Sequence, residues 1–396
     1  MRFWFKRLLV SLVLVFCCLH SEASSIQYAY KNFVLNKDQI WVLLYDGRIK
    51  IFSTVDGRLI KQYAPANKIQ WLLDDNLGNI IIVNNGREMQ QFDTENQSWK
   101  NLALLKYKTL YGIAFNSLNE CILLTDEGIV KEGVNRKVYL PAYEFYNSEA
   151  GMRGAAGWET DEKMQFYMDS RDNLWVTTSH GEWGDDLFIF NTIANKFIKC
   201  EYPLTSPSLE LNGHLYALYG SMFDYVVVQY TQIQNDSSTS FKGKLVYELS
   251  KDPGFNSKGK KLSDGWISKC IFNKTDSKLY LLTSNGLFKA KPDKELSLLK
   301  YWTKVETFYP TPKQLKGSFG YLDGKKYSTD PKDEYLTMDD DKVPGRVKKW
   351  KTSSKDDYEG FNFVIKMQFA ANGKLVLLSG YSGVGLFDGK QFKLLR

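Results

Sequence analysis

Histidine and cysteine are scarce in this 396-residue sequence, which holds three histidines and five cysteines. Only His180 and His214 lie beyond residue 23, and neither has another histidine or a cysteine at the spacing of metal ligands. A zinc or copper site of the ordinary type is therefore not expected. The sequence also lacks a Gly-x-Ser-x-Gly motif and a glycine-rich phosphate loop, so serine hydrolase and nucleotide chemistry have no motif support. We expect no metal and no cofactor.

A strong charge of either sign is also absent. The formal net charge of +7 is mild for this length and gives no reason to expect a nucleic-acid partner. Hydrophobic residues make up 43% of the chain and aromatic residues 15%, which supplies enough apolar surface for a large folded core.

Hydrophobic runs long enough to cross a membrane are missing as well. Three basic residues precede an apolar run from Leu8 to Leu19, and Ser21-Glu22-Ala23 then offers small residues around a cleavage point. This pattern is typical of a signal peptide, and the run is shorter than the roughly 20 apolar residues of a membrane span. We therefore expect residues 1–23 to be a signal peptide, residues 24–396 to form a single domain without a transmembrane segment, and the protein to be periplasmic or secreted.

Two cysteines in the leader leave an alternative localisation open. Lipidation of Cys17 or Cys18 would anchor the protein to a membrane instead of releasing it. Lipoprotein cleavage favours a small residue before the cysteine, and Phe16 is bulky there. Beyond the leader, Cys121, Cys200 and Cys270 permit at most one disulfide. Each lies in an apolar, strand-like stretch, so we expect all three to be small buried hydrophobic residues without a disulfide.

A short apolar run that closes at a glycine turn occurs seven times in the chain. The runs are QIWVLLYDG (39–47), NIIIVNNG (79–86), ECILLTDEG (120–128), NLWVTTSHG (173–181), HLYALYG (214–220), KLYLLTSNG (278–286) and KLVLLSG (374–380). When the runs are aligned, three of the six intervals between them are 40 or 41 residues, as between Trp41 and Ile81. A repeat of this period indicates one structural unit per copy.

Each run has strand-like neighbours, with one alternating segment before it and two after it. Four antiparallel strands at a period of about 40 residues are typical of a propeller blade, and little of the chain has the pattern of an amphipathic helix. The sequence therefore predicts an all-β protein, a β-propeller of about seven four-stranded blades, in which the seven runs are the second strands. A β-sandwich would explain the strands but not their period, and an eighth blade formed around Tyr335-Leu336-Thr337 and Val347-Lys348-Lys349-Trp350 is an alternative.

Within the fourth copy, the segment Asp169–Thr178 followed by Leu187–Asn191 resembles the repeat of two-component regulator propellers, and Asp74–Ile80 is a weaker copy. The resemblance implies a propeller fold and a ligand-sensing role outside the bacterial membrane. The family's membrane span and histidine kinase are not recognisable here, so the resemblance implies a stand-alone relative.

The irregular intervals locate four insertions, at 142–161, 234–242, 251–264 and 307–360. In a propeller, the turns between strands two and three and the loops between consecutive blades lie on one face. All of the insertions except 234–242 are expected on that face, together with the lengthened turn His180–Asp186. Because long loops on a rigid scaffold commonly carry binding sites, this face is the predicted functional one, although surface insertions also cost little stability.

The lengthened turn of the fourth copy is the candidate site. It gathers an imidazole and three carboxylates around an aromatic ring, and two residues of the preceding insertion should approach it. The candidate ligand-binding residues are Arg153, Trp158, His180, Glu182, Trp183, Asp185 and Asp186. Carboxylates and an aromatic face are typical of sugar recognition or acid–base chemistry. A polar hairpin turn shaped by glycines is the alternative interpretation.

These residues leave two classes of function open. The first is a ligand-binding or protein-interaction module whose partner is an extracellular or periplasmic glycan, peptide or protein. The second is a propeller enzyme, a lyase or hydrolase acting on polysaccharide. Scarce histidine and the lack of a catalytic motif favour the binding module, and no catalytic residue is assigned.

Overall fold

A computed structural model describes the backbone of most of the chain beyond residue 29. The described residues are 30–133, 135–146, 158, 164–179, 185–220, 225–235, 238–248, 267–283, 286–292, 294, 296, 299–308, 319–322, 325–328, 335–338, 347–350, 364–379 and 383–395. Helix in these ranges is limited to two short 3-10 turns, Tyr143–Phe145 and Leu299–Tyr301. None of the helices in this part of the chain is long and apolar enough to cross a membrane.

The protein is all-β, and most of its strands form sheets of four antiparallel strands in sequential order. The first sheet contains β1(Tyr30–Asn36), β2(Gln39–Leu44), β3(Ile49–Ser53) and β4(Leu59–Tyr63). The second contains β5(Ile69–Asp74), β6(Ile80–Asn84), β7(Glu88–Asp93) and β8(Ser98–Leu104). The third contains β9(Leu110–Phe115), β10(Cys121–Thr125), β11(Gly128–Lys131) and β12(Lys137–Tyr139).

The same order continues through the rest of the chain. The fourth sheet contains β13(Gln165–Met168), β14(Asn173–Ser179), β15(Asp185–Asn191) and β16(Lys196–Glu201). The fifth contains β17(Leu209–Leu211), β18(His214–Gly220), β19(Tyr225–Asn235) and β20(Ser238–Glu248). The sixth contains β21(Ile267–Asn273), β22(Lys278–Thr283), β23(Gly286–Ala290) and β24(Thr303–Lys304). Two hairpins, β25(Phe319–Leu322) with β26(Lys325–Ser328) and β27(Tyr335–Met338) with β28(Val347–Trp350), precede the last sheet, β29(Val364–Phe369), β30(Leu375–Ser379), β31(Gly383–Phe387) and β32(Phe392–Leu395).

Each of the seven apolar runs forms the second strand of a sheet, as the repeat predicts. The aligned positions are buried: Ile81 is 1% exposed, Ile122 and Trp175 are 0% exposed and Tyr280 is 8% exposed. These strands are mainly apolar because both of their faces are covered, in contrast to a strand with one face in water. Four-stranded sheets with this inner strand are the architecture of a propeller blade.

Two compact units make up the chain, residues 73–308 and residues 1–72 with 309–396, and the boundary between them falls within β5. In the second of these units the first and last sheets pack together. Their shared core contains Phe33, Val42, Val376 and Leu386, and the Tyr30 hydroxyl donates a hydrogen bond of 3.4 Å to the carbonyl of Leu395. The first and last sheets are thus joined by apolar burial and by a hydrogen bond.

In the unit of residues 73–308, consecutive sheets share apolar cores. Trp158 and Phe188 belong to the core between the third and fourth sheets, and Trp175 and Tyr230 to the core between the fourth and fifth. The fourth and fifth sheets also join edge to edge, because β16 pairs with β20 in parallel from Lys199 opposite Ser240 to Glu201 opposite Lys242.

Three predicted insertions have described residues. The stretch 234–242 forms the ends of the two longest strands, where Gln234 pairs with Thr239 and Asn235 with Ser238. In 307–360, the two candidate strands of an eighth blade pair as β27 and β28, with Tyr335 opposite Trp350. In 142–161, Tyr143–Phe145 forms a 3-10 turn and Trp158 is buried. The insertion 251–264 lies outside the described residues.

Candidate functional site

The lengthened turn of the fourth sheet connects β14, which ends at Ser179, to β15, which begins at Asp185. Arg153, His180, Glu182 and Trp183 lie outside the described residues, so their predicted role stays a prediction. The other three predicted site residues, Trp158, Asp185 and Asp186, have described positions.

Asp185 and Asp186 are the first two residues of β15, where they lie opposite Ser179 and Thr178. Successive side chains of a strand point to opposite faces of its sheet, so these two carboxylates do not form a pair. The two carboxylates also act on different tyrosines. The pKa of Tyr219 is raised mainly by burial and further by the charge of Asp185, whereas the pKa of Tyr146 is raised mainly by burial and further by the charge of Asp186. Asp186 is fully buried. The role of Asp185 and Asp186 in ligand binding remains a prediction.

Trp158 is 4% exposed and packs in the core between the third and fourth sheets. Its ring lies 5.6 Å from that of Phe188, and its indole Nε1 donates a 2.6 Å hydrogen bond to the carbonyl of Thr125. Thr125 ends β10, and its hydroxyl accepts a hydrogen bond from the backbone N–H of Glu127 in the next turn. In this position Trp158 supports the β10–β11 turn, and its face is covered by core residues.

Asp169 organises the turn that opens β14. Its carboxylate accepts hydrogen bonds from the backbone N–H groups of Arg171 and Asn173, from the Asn173 amide and from the Trp175 indole. The segment from Asp169 to Asn173 is similar in sequence to a calcium-binding loop, but its hydrogen bonds are those of an Asx-type turn. Among the described residues, no group of three or more histidine, cysteine, aspartate or glutamate side chains could hold a metal ion.

An open pocket of about 590 Å³ lies between the second and third sheets. Four chain segments form it: the β6–β7 turn, the end of β8 with its connection to β9, the β10–β11 turn, and the β11–β12 turn, which contains Arg136. Its polar or glycine lining comes from Gly86, Arg87, Lys106, Tyr107, Glu127 and Arg136. The first three of these segments belong to the two loop classes that the sequence predicts on the functional face, whereas the β11–β12 turn connects the third and fourth strands of its sheet.

Hydrogen bonds join the walls of this pocket to one another. The backbone N–H of Leu105 donates to the carbonyl of Arg87 at 2.9 Å. The Arg136 guanidinium donates to the carbonyl of Lys106 at 3.2 Å and to the Glu127 carboxylate at 3.0 Å. Because backbone and side-chain bonds both cross the pocket, its shape is largely set before any ligand enters.

Burial governs the acid–base behaviour of Tyr107, which lines the pocket, and of Glu132, which pairs with Arg136 behind the lining. It raises the pKa of Tyr107, with the Arg87 guanidinium acting in the opposite direction, so the phenol remains protonated at neutral pH. Burial also raises the pKa of Glu132, against the lowering effect of the Arg136 charge. The Arg136 guanidinium lies 3.7 Å from the Glu132 carboxylate, which is an ion pair but not a hydrogen bond.

The sequence interpretation missed this pocket because its residues are spread over four chain segments of ordinary composition. Arg87 and Glu127 each belong to a glycine-containing turn after a second strand, and Lys106 and Tyr107 to a loop between sheets. A comparison of the same turn position in the aligned runs would have singled out Arg87, where other copies have glycine.

No protein-family model matches the sequence, and no curated protein matches it. Among solved structures, the chain is similar to U3-55K, with 9% identity over 91% of this chain and 95% of that one at a TM-score of 0.49. It is also similar to streptogramin B lyase, with 10% identity over 92% and 93% of the two chains at a TM-score of 0.40. A third similar structure is the extracellular domain of the putative one component system BT4673 from B. thetaiotaomicron, with 12% identity over 92% of this chain and 46% of that one at a TM-score of 0.40.

Proposed function

We propose that this protein is an exported β-propeller of seven blades, a stand-alone relative of two-component regulator propellers that acts as a binding module. Its ligand is a periplasmic or extracellular molecule, with glycans the leading class. The ligand is taken on the face formed by the turns after the second strands and the loops between sheets. The sequence predicts Arg153, His180, Glu182, Trp183 and Asp185 on this face.

The pocket between the second and third sheets is the observation that carries this proposal. It is concave, about 590 Å³ in volume and bounded by turns that are bonded to one another. Its size is in the range of small-molecule sites, roughly 300 to 1,000 Å³. The β10–β11 turn connects the predicted insertion 142–161 with the pocket. Trp158 of the insertion donates a hydrogen bond to Thr125 at the start of this turn, and Glu127 of the same turn lines the pocket.

A screen of the purified protein against glycans and cell-envelope extract tests the proposal, with binding and product release scored separately. We expect saturable binding without turnover. Lys106 is an exposed residue of the pocket, so Lys106→Glu should abolish binding of the ligand found without unfolding the protein. Lys108→Glu is the matched control, because Lys108 is also exposed and does not line the pocket.

Two results would contradict the proposal. If no component of either collection binds, the protein is not the binding module described here. If a bound polysaccharide is shortened and releases products, the protein is instead the lyase or hydrolase of the alternative hypothesis. Equal binding by the Lys106→Glu and Lys108→Glu variants would place the ligand elsewhere on the protein.

A further inference from the structure

Arg87 occupies a turn position that other copies of the repeat fill with glycine. The position lies three residues after the end of the second strand, where Gly47 has a φ of 87°, Gly128 of 131° and Gly286 of 120°. Arg87 holds a φ of 65° at this position in the second sheet. The left-handed conformation is unfavourable for a residue with a Cβ atom, and such strain in folded proteins concentrates at functional sites. The turn keeps Arg87 at a backbone cost, as eight other non-glycine residues of the described chain do.

The guanidinium of Arg87 is placed to meet an anion. It lies over the ring of Tyr107 at 5.1 Å, and it makes no ion pair with any carboxylate in the described part of the chain. Arg136, in contrast, is already bonded to Glu127 and paired with Glu132. A guanidinium without a carboxylate partner can bind a carboxylate of a ligand through two parallel hydrogen bonds.

An unsatisfied polar atom of the pocket points to a hydroxyl group on the same ligand. Among the described residues, three buried side-chain atoms have no hydrogen-bond partner: Tyr107 Oη, which belongs to the pocket lining, and Glu132 Oε1 and Arg136 Nε, which lie 3.7 Å from each other in an ion pair. Tyr107 is 9% exposed and lines the pocket. Buried polar atoms in folded proteins nearly always have a partner. A ligand hydroxyl group can accept a hydrogen bond from the Tyr107 phenol, so it suits this atom.

The charges of the region set the charge of the ligand. Arg87, Lys106 and Arg136 are three cations of the pocket lining, whereas Glu127 is its one carboxylate. Two positive charges are therefore in excess, which suits an anionic ligand. The volume of about 590 Å³ admits a molecule of one or two sugar rings.

We infer that this pocket binds a hydroxyl-bearing carboxylate of the size of a sugar acid. Arg87 receives the carboxylate, and Tyr107 donates to a hydroxyl group. This inference rests on the proposed binding function and specifies its ligand class.

Isothermal titration calorimetry of the purified protein tests it with four probes, D-glucuronate, D-galacturonate, D-gluconate and L-lactate, at millimolar concentration. D-Glucose and D-galactose serve as neutral counterparts. We expect at least one acid to bind and its neutral counterpart not to bind. Tyr107→Phe, which keeps the ring and removes the hydroxyl, should weaken binding several-fold.

Arg87→Gly separates ligand binding from folding. This variant has glycine at the turn position, as at Gly47, Gly128 and Gly286, so its melting temperature should equal or exceed that of the wild type. Its affinity should nevertheless fall by about tenfold or more, as expected when a charged hydrogen bond is lost. Arg58→Gln is the control, because Arg58 is exposed, pairs with Asp56 and does not line the pocket.

Three results would overturn the inference. They are binding of none of the four acids, equal binding of an acid and its neutral counterpart, and unchanged affinity of the Arg87→Gly variant. If the glycan and envelope screen still yields a ligand whose binding is lost in Lys106→Glu, the proposed function stands and only the ligand class is wrong. If that screen also fails, both are wrong.

Discussion

The indole Nε1 of Trp175 donates a 2.9 Å hydrogen bond to Oδ2 of Asp169, six residues earlier in the chain. Trp175 is fully buried in the second strand of the fourth sheet, and Asp169 lies in the turn that opens that strand. The turn and the strand are therefore fixed by one side-chain pair. The second sheet has a related turn, in which the Asp75 carboxylate accepts from the backbone N–H groups of Leu77 and Asn79.

Replacement of Asp169 by alanine should destabilise the protein by about 2 to 4 kcal/mol, because several donors, including the buried Trp175 indole, lose their acceptor. Asp93→Ala is the matched control. Asp93 also accepts from two backbone N–H groups and an asparagine amide, but in an exposed turn, so its loss should matter much less. Urea denaturation of both variants checks this, and equal losses of stability would contradict it.

Asp75 should make the stability of the protein depend on pH in the acid range. Burial acts to raise its pKa, but hydrogen bonds from Asn79, Asn119 and Leu77 outweigh burial and lower it below the ordinary value of 3.8. A lowered native pKa stabilises the fold above the unfolded pKa, and this contribution is lost as the pH falls through the native pKa.

The Asp75→Asn variant isolates this contribution. It cannot ionise, and it places an amide donor opposite the Asn79 and Asn119 amides, so it should be less stable than the wild type at neutral pH. The difference in unfolding free energy should shrink as the pH is lowered from about 6 to about 3. A difference that is constant over this range would show that the charge of Asp75 is not involved.

Ile81→Ala should cost about 2 to 5 kcal/mol of unfolding free energy, because Ile81 lies in a second strand with both faces covered. Ile60→Ala is the control, since Ile60 lies in β4 and is 48% exposed, and its change should stay within about 0.5 kcal/mol. Equal effects of the two substitutions would contradict the assignment of the inner strands.

The three cysteines beyond the predicted signal peptide should react with a thiol reagent only after denaturation. Burial raises the pKa of Cys121, Cys200 and Cys270 to about 12 in each case, and for Cys121 and Cys200 the charge of a nearby glutamate adds to this. At pH 8 the native thiols therefore carry almost no reactive thiolate. Denaturation without a reductant should expose three thiols, whereas a count of one would reveal a disulfide.

Much of the fold could be predicted from the sequence because its repeated unit is local. A run such as Ile80–Val83 is apolar at every position, which identifies a strand covered on both faces and a glycine turn after it. The parallel pairing of β16 with β20 could not be predicted in this way. It depends on two edge strands about 40 residues apart, Lys196–Glu201 and Ser238–Glu248, whose polar composition carries no pairing signal.

The candidate site was harder to predict because exposure and direction of a side chain depend on packing. Trp158 has the aromatic ring expected of a stacking platform, yet its neighbours Phe188 and Thr125 enclose it. Asp185 and Asp186 are adjacent in sequence, yet β15 directs them to opposite faces. Arg87 gave no signal by itself, since its significance comes from the glycines at the same position of other repeats.

The two tryptophans of the predicted ligand-binding set should respond in opposite ways to substitution. Trp158→Ala removes a buried ring and a hydrogen bond to Thr125, so it should destabilise the protein by about 3 to 5 kcal/mol. If Trp183 is a stacking platform in the turn after β14, Trp183→Ala should weaken binding of the ligand found in the screen and leave the melting temperature nearly unchanged.

Charge-removing substitutions in the same turn then distinguish binding from catalysis. If the protein is an enzyme, Glu182→Gln or Asp185→Asn should abolish product release while the substrate still binds, because each change keeps the shape of the side chain and removes only its ionisable group. For a binding module, no product forms in any variant, and the loss of a carboxylate contact appears as weaker affinity. Binding and calorimetric melting should be measured on the same preparations of all four variants. Wild-type affinity in Trp183→Ala, Glu182→Gln and Asp185→Asn together would exclude this turn as a ligand site and leave the pocket at Arg87 as the binding surface of this face.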